Sequence, residues 1–237
     1  MKRIIIALLI STVVSATPSY SNEISDSFSD LRMISLDNTD VGPIRLYFKN
    51  DLSTVLNEKE KDEGSHILTI RAINTKLINS SKDIYLIKYD EGPSVDPTFE
   101  VFSRSENRPL LTVNATTLIV PGNGYIYSAG HTNNMFDQRR KYKITKDGFR
   151  EVRQPYYYVG KETVANKNIN LFSSRNGKGE LVATVPKGGK IVVLINIDND
   201  YLVKTPFGLV GWLNLKEEEI GNRSEEGILS GIYYNGD

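Results

Sequence analysis

The side chains able to do chemistry are few and scattered. The chain holds two histidines, His66 and His131, and no cysteine. The histidines lie far apart, and neither belongs to the His-x-His or His-x-x-x-His spacing that sets two imidazoles on one face of a strand or helix. Without cysteine there is no thiolate metal site, no disulfide, no cysteine nucleophile and no cysteine-linked lipid. Neither the Gly-x-Ser-x-Gly turn that exposes a serine nucleophile nor a phosphate-binding glycine loop occurs. His131 sits in Gly130-His131-Thr132-Asn133-Asn134. It could serve as a general base only beside a partner that the fold would have to supply, and the same residues are ordinary turn formers. Carboxylates are plentiful, with 29 Asp and Glu in 237 residues, yet no pair is singled out by its setting. The expectation is a chain with no catalytic residue, no metal and no cofactor.

Aromatic rings are the remaining candidates, because a flat ring offers much apolar area for little conformational entropy. They include Tyr156-Tyr157-Tyr158, Phe172, Tyr201 and Trp212, the single tryptophan. Along a strand, Tyr156 and Tyr158 would share one side and Tyr157 the other. One side is expected either to pack into a seam between domains or to stand exposed as a platform.

The first residues address the chain rather than build it. Lys2 and Arg3 precede an apolar stretch from Ile4 to Val14, and Val14-Ser15-Ala16 offers the small residues that a signal peptidase accepts. This predicts a signal peptide over residues 1–16, cleaved after Ala16 or alternatively after Ser21, and an exported protein, periplasmic or secreted. The apolar run is short for a hydrocarbon core of about 30 Å, so no transmembrane segment is expected after its removal. The whole chain has no formal net charge. Loss of Lys2 and Arg3 leaves it slightly acidic, which argues against nucleic acid as a partner.

Residues 17–30 are polar and predict a flexible lead-in. From Leu31 the chain alternates apolar and polar residues in short runs such as Ile44–Phe48, Ile84–Tyr89 and Thr116–Val120. These are punctuated by turn formers, Pro121-Gly122-Asn123-Gly124 and Asp147-Gly148 among them. The charged tract Glu58–Glu63 suits either a short helical turn or a solvated loop. No helical periodicity competes, so the prediction is all-β: an antiparallel meander or sandwich-like domain over residues 31–155. A change of texture near Gln154–Asn168 opens a second domain over 156–215. A tail over 216–237 follows, acidic and then apolar in Ile228-Leu229 and Ile232-Tyr233-Tyr234, which could add a last strand returning to the N-terminal sheet.

The second domain carries an ordered set of features. Ile169-Asn170-Leu171-Phe172-Ser173 opens it, followed by the loop Arg175–Gly179 and then Leu181–Val185 ending in Pro186-Lys187-Gly188. Ile191–Leu194, Asp200–Lys204 and the closing Gly208-Leu209-Val210-Gly211-Trp212-Leu213 complete it. Lys187-Gly188 turns the chain where positive φ costs little, and Gly211 allows close backbone approach beside a bulky ring. From Val164 to Leu215, about a fifth of the chain, this order resembles the bacterial Src homology 3-like family. The closing Gly-x-x-Gly-Trp-Leu is its most specific part. The fifth-strand aromatic, usually tryptophan in that family, is Tyr201 here.

The resemblance implies a small β-barrel with a shallow peptide groove between its loops. The expected ligand-binding residues are Tyr201, Trp212 and Phe172, with Asp198 and Asn199 as a polar rim. Tyr201 and Trp212 equally suit the barrel core. The function expected on these grounds is a non-enzymatic envelope protein that binds a protein or cell-wall peptide. A periplasmic inhibitor or immunity-type protein is a second reading, and a carboxylate-dependent hydrolase targeted by the barrel a third.

Overall fold

The computed structural model describes residues 20–39, 42–61, 67–91, 96–222, 225 and 227–236. Residues 1–16, read from the sequence as a signal peptide, and His66 lie outside the described residues. A helix α1, Tyr20–Ser27, occupies the stretch expected to be a flexible lead-in; it belongs to a unit of its own, and a second unit runs from Leu31 to the end. Among the described residues no helix is long and apolar enough to cross a membrane.

The fold is all-β. In the first part of the second unit, strands β1 (Leu31–Thr39) and β2 (Gly42–Lys49) form a hairpin. The chain then builds a complete second sheet, β3 (Ser53–Lys61), β4 (Ile67–Thr75), β5 (Tyr85–Asp90), β6 (Thr98–Ser103) and β7 (Leu111–Asn114). It returns with β8 (Thr117–Val120), β9 (Tyr125–Gly130), β10 (Gln138–Thr145) and β11 (Gly148–Glu151). The first sheet has the order β1-β2-β8-β9-β10-β11, and the second is the sequential meander β3-β4-β5-β6-β7. Strands β2 and β8 run parallel, a departure from the expected antiparallel arrangement. A parallel pair cannot be joined by a tight turn, and here the five-stranded sheet is itself the connection. The tract at Glu58 continues strand β3, pairing with β4 as far as Lys61↔Ile67. It is neither the helical turn nor the loop expected from its charges, because nine register pairs of backbone hydrogen bonding outweigh the local preference.

Period-two alternation explains the packing. Ile44, Leu46 and Phe48 of β2 point inward with Leu118 and Val120 of β8. From the other sheet come Ile73, Ile87, Phe99, Val101 and Val113, and together they make one core between the sheets. On the outward face Lys141 lays its ammonium 3.7 Å from the Tyr125 ring centroid, so those aromatics are partly covered by a charged side chain.

The rest of the chain makes a second core. Strands β12 (Tyr157–Val164), β13 (Ile169–Ser174), β14 (Lys178–Val185), β15 (Lys190–Ile197), β16 (Asp200–Lys204) and β17 (Val210–Asn214) form one sheet in the order β12-β15-β16-β17-β13-β14, antiparallel throughout. Each apolar run quoted from the sequence between Ile169 and Leu213 falls on one of β13 to β17, with Gly208 and Leu209 in the turn before β17. At Gly211 a Cβ would lie 2.9 Å from that of Leu171 and 3.2 Å from the Phe172 carbonyl oxygen. The absence of a side chain is what lets β17 cross β13 so closely.

The tail does return, though to a loop rather than to the N-terminal sheet. Short strands β18 (Gly221–Asn222) and β19 (Tyr233–Tyr234) pair in parallel. Between them Ile228, Leu229 and Ile232 are buried in the second core, as is Phe136 from the β9–β10 connection. Backbone bonds fasten the tail on two sides: Asn166 N–H donates to the Ile228 carbonyl at 2.7 Å, and Asn133 N–H to the Asn235 carbonyl at 2.6 Å.

Candidate functional site

Alternation divides the residues of the second sheet between two faces. Leu171, Val193, Tyr201, Val203 and Leu213 face inward and form its core. Their neighbours face outward, and the register lines them up. Leu181 of β14 is opposite Phe172 of β13, Phe172 opposite Trp212 of β17, and Trp212 opposite Leu202 of β16. Leu202 is opposite Ile195 of β15, and Ile195 opposite Tyr158 of β12. Cross-strand partners lie on the same face, so one unbroken apolar row crosses all six strands. At about 4.8 Å between strands it follows the sheet for about 24 Å. Its ends are the most open, with Leu181 57% and Tyr158 64% exposed, and none of the six belongs to either core.

Charged residues interleaved with valines border the row on one side and polar residues on the other. On one side, strand neighbours Glu162, Val192, Lys204 and Val210 form the adjacent register line. On the other, Asp200 is opposite Asn214. The Asp200 carboxylate is 1% exposed and fully engaged. It accepts from Arg175 Nε at 3.0 Å, the Asn176 backbone N–H at 2.8 Å and Asn214 Nδ2 at 2.8 Å. Burial pushes this carboxyl up, but the hydrogen bonds and the guanidinium charge together outweigh it and hold its pKa below the usual aspartate range. Arg175 also reaches Asp198 at 2.9 Å. The β13–β14 turn is thereby tied to the β15–β16 turn, where Asp198 takes φ of 54°.

Of the expected ligand-binding residues, Phe172 and Trp212 come together as direct cross-strand partners. Asp198 and Asn199 are exposed in the neighbouring turn. Tyr201 does not join them. It is 2% exposed, meets Phe136 edge-on at 6.4 Å, and its hydroxyl pKa is pushed up by burial. Tyr201 is a core residue because it neighbours Leu202 along β16 and therefore faces the other way. The tyrosine run divides as its alternation predicts. Tyr157 packs against the second core and donates its hydroxyl to Glu151 Oε1 at 2.9 Å, while Tyr156 and Tyr158 are exposed. Leu181, Ile195 and Leu202 were not singled out as binding residues by sequence, and Tyr158 was marked only as part of the tyrosine run. The alternation about Tyr201 marks Leu202 as opposite in facing, but the alignment of six strands requires the register.

His131 has structural partners. Its Nε2 donates to the Tyr233 carbonyl at 2.9 Å, and its ring lies 4.8 Å from that of Tyr233. Burial lowers its pKa despite this bond. Among the described residues no three His, Asp or Glu side chains converge as metal ligands. Compared with known proteins, the chain matches no family model, and no curated protein or solved structure is significantly similar to it.

Proposed function

We propose that this chain is an exported, non-enzymatic binding protein of the bacterial envelope. Its second region is a barrel of the Src homology 3-like kind that recognises a protein or cell-wall peptide. The observation that carries this reading is the outward apolar row from Leu181 through Phe172 and Trp212 to Tyr158. An extended peptide offers alternate side chains at about 6.6 Å, and a row of rings and branched side chains with a polar border suits such a ligand. The non-enzymatic part of the reading is supported by the engagements of His131 and Asp200: one is bonded to a backbone carbonyl, the other enclosed by three donors.

Trp212 reports on its own site, being the only tryptophan. Titration with soluble peptidoglycan fragments should shift its fluorescence saturably, and Leu181→Ser should weaken that response about tenfold, the loss of one buried aliphatic side chain. Retention on insoluble peptidoglycan should fall in parallel. Absence of both saturable fluorescence change and retention would remove the cell-wall ligand. Retention unaffected by Leu181→Ser and Trp212→Ala would remove the row as its site.

A further inference from the structure

The β16–β17 turn carries an apolar knob for which the fold itself has no use. Thr205-Pro206-Phe207-Gly208 is a tight turn in which Gly208 N–H donates to the Thr205 carbonyl at 2.9 Å. The Thr205 side chain stiffens it, its Oγ1 accepting from the Leu209 N–H at 3.1 Å. At its tip Phe207 is 89% exposed, and Leu209 and Val210 beside it are exposed as well. A proline-braced turn holding a bare phenylalanine ring is pre-organised to insert it, since little freedom remains to be lost on binding.

Immediately beside this knob is a hole. A cleft of about 450 Å3 is walled by Val164, Ile191, Val192 and Pro206 and edged by Glu162, Lys190 and Lys204. It is apolar in its walls and large enough for an aromatic side chain. Its edge carries both signs of charge. Those two properties select the occupant. In a two-fold interface the same patch meets itself, so it must present knob and hole together and carry its own counter-charges. A patch aimed at an anionic surface would need lysines without the glutamate, and one aimed at a basic partner the reverse.

We propose that the occupant is a second copy of this chain. In the dimer, Phe207 of each copy fills the cleft of the other, and Glu162 of each faces Lys190 and Lys204 across the axis. This surface is centred on the β16–β17 turn and shares Glu162, Val192 and Lys204 with the border of the Trp212 row, while none of the six residues of the row lines the cleft.

Sedimentation velocity of the purified chain across a micromolar concentration series tests it. A concentration-dependent dimer is expected. Phe207→Asp, a change at an exposed tip, should weaken it on the order of 100-fold or more, since two rings are lost per dimer, with unchanged circular dichroism and melting. Glu162→Lys and Lys204→Glu should each weaken the dimer, and the two together should restore most of it. A chain that stays monomeric throughout the series overturns the proposal, as does a dimer indifferent to Phe207→Asp. If Phe207→Asp instead abolishes co-sedimentation of a monomer with anionic phospholipid vesicles, the knob is a membrane contact and the dimer is excluded.

Discussion

The two regions of the molecule treat their outer surfaces differently. In the sandwich, Met33 and Ile78 are the large apolar residues left exposed among those described, and the Tyr125 ring is overlaid by Lys141. In the smaller second region the exposed set is Tyr156, Tyr158, Leu181, Phe207, Leu209, Val210 and Tyr234. Both regions have a complete core, so the excess is not a failure of packing. Apolar surface that folding does not require is concentrated on the smaller region, and the proposed binding role rests on that contrast.

That contrast can be broken first at the cores. Deleting Ile228–Asp237 removes three side chains buried in the second core, each worth about 1.5–3 kcal/mol. Denaturant unfolding should show the second region lost and the sandwich retained; unchanged stability would mean the tail is only draped over the surface. Tyr201→Ala and Phe99→Ala each empty a fully buried aromatic site, one in each region, and should cost about 3–5 kcal/mol. A much smaller loss at Tyr201 would place it back among the binding residues. Asp200→Ala leaves three donors without their acceptor and should cost about 2 kcal/mol. That effect should fade in acid. Its folded pKa is depressed, so its stabilisation is present above about pH 3.9, the unfolded value, and is lost as pH falls through the folded one.

The smallest effect belongs to the seam between the regions. His131 is held neutral by burial, with its folded pKa below the ordinary value. Below about pH 6.5 the unfolded chain takes the proton first, so stability should decline with falling pH by no more than about 1.4 kcal/mol per unit. His131→Gln should flatten that slope in urea melts run from pH 7.5 to 5. A slope identical in both chains would assign the proton elsewhere.

How much of this was legible beforehand follows from which forces are local. The strands from Ile169 to Leu213 could be placed because turn glycines and β-branched runs act over a few residues. Gly211 was marked for close approach, and it touches Leu171 as that reading requires. The pairing of Phe172 with Trp212 was half-legible, since both were chosen as aromatics without the register that unites them. Tyr201 was placed among the binders by its residue type, although Asp200 and Lys204, which share the face of Leu202, mark the opposite face as the apolar one. The parallel contact of β2 with β8, the helix over Tyr20–Ser27 and the strand through Glu58 were not readable. Each depends on partners distant in sequence or runs against local composition.

The closing of the tail has a consequence for the order of events as the chain is made. Residues 44 to 142 contain every buried member of the sandwich core, with Ile34, Leu36, Ile144 and Phe149 packed at its margin, and it can form while later segments are still emerging. Phe136, carried on the β9–β10 connection, meets Tyr201 edge-on and shares its core with Ile228 and Ile232, which follow only after all six strands of the second sheet. The second core is therefore complete only once the tail has been made. A chain clipped or halted before residue 228 would carry a sound sandwich and a second core lacking three of its buried side chains.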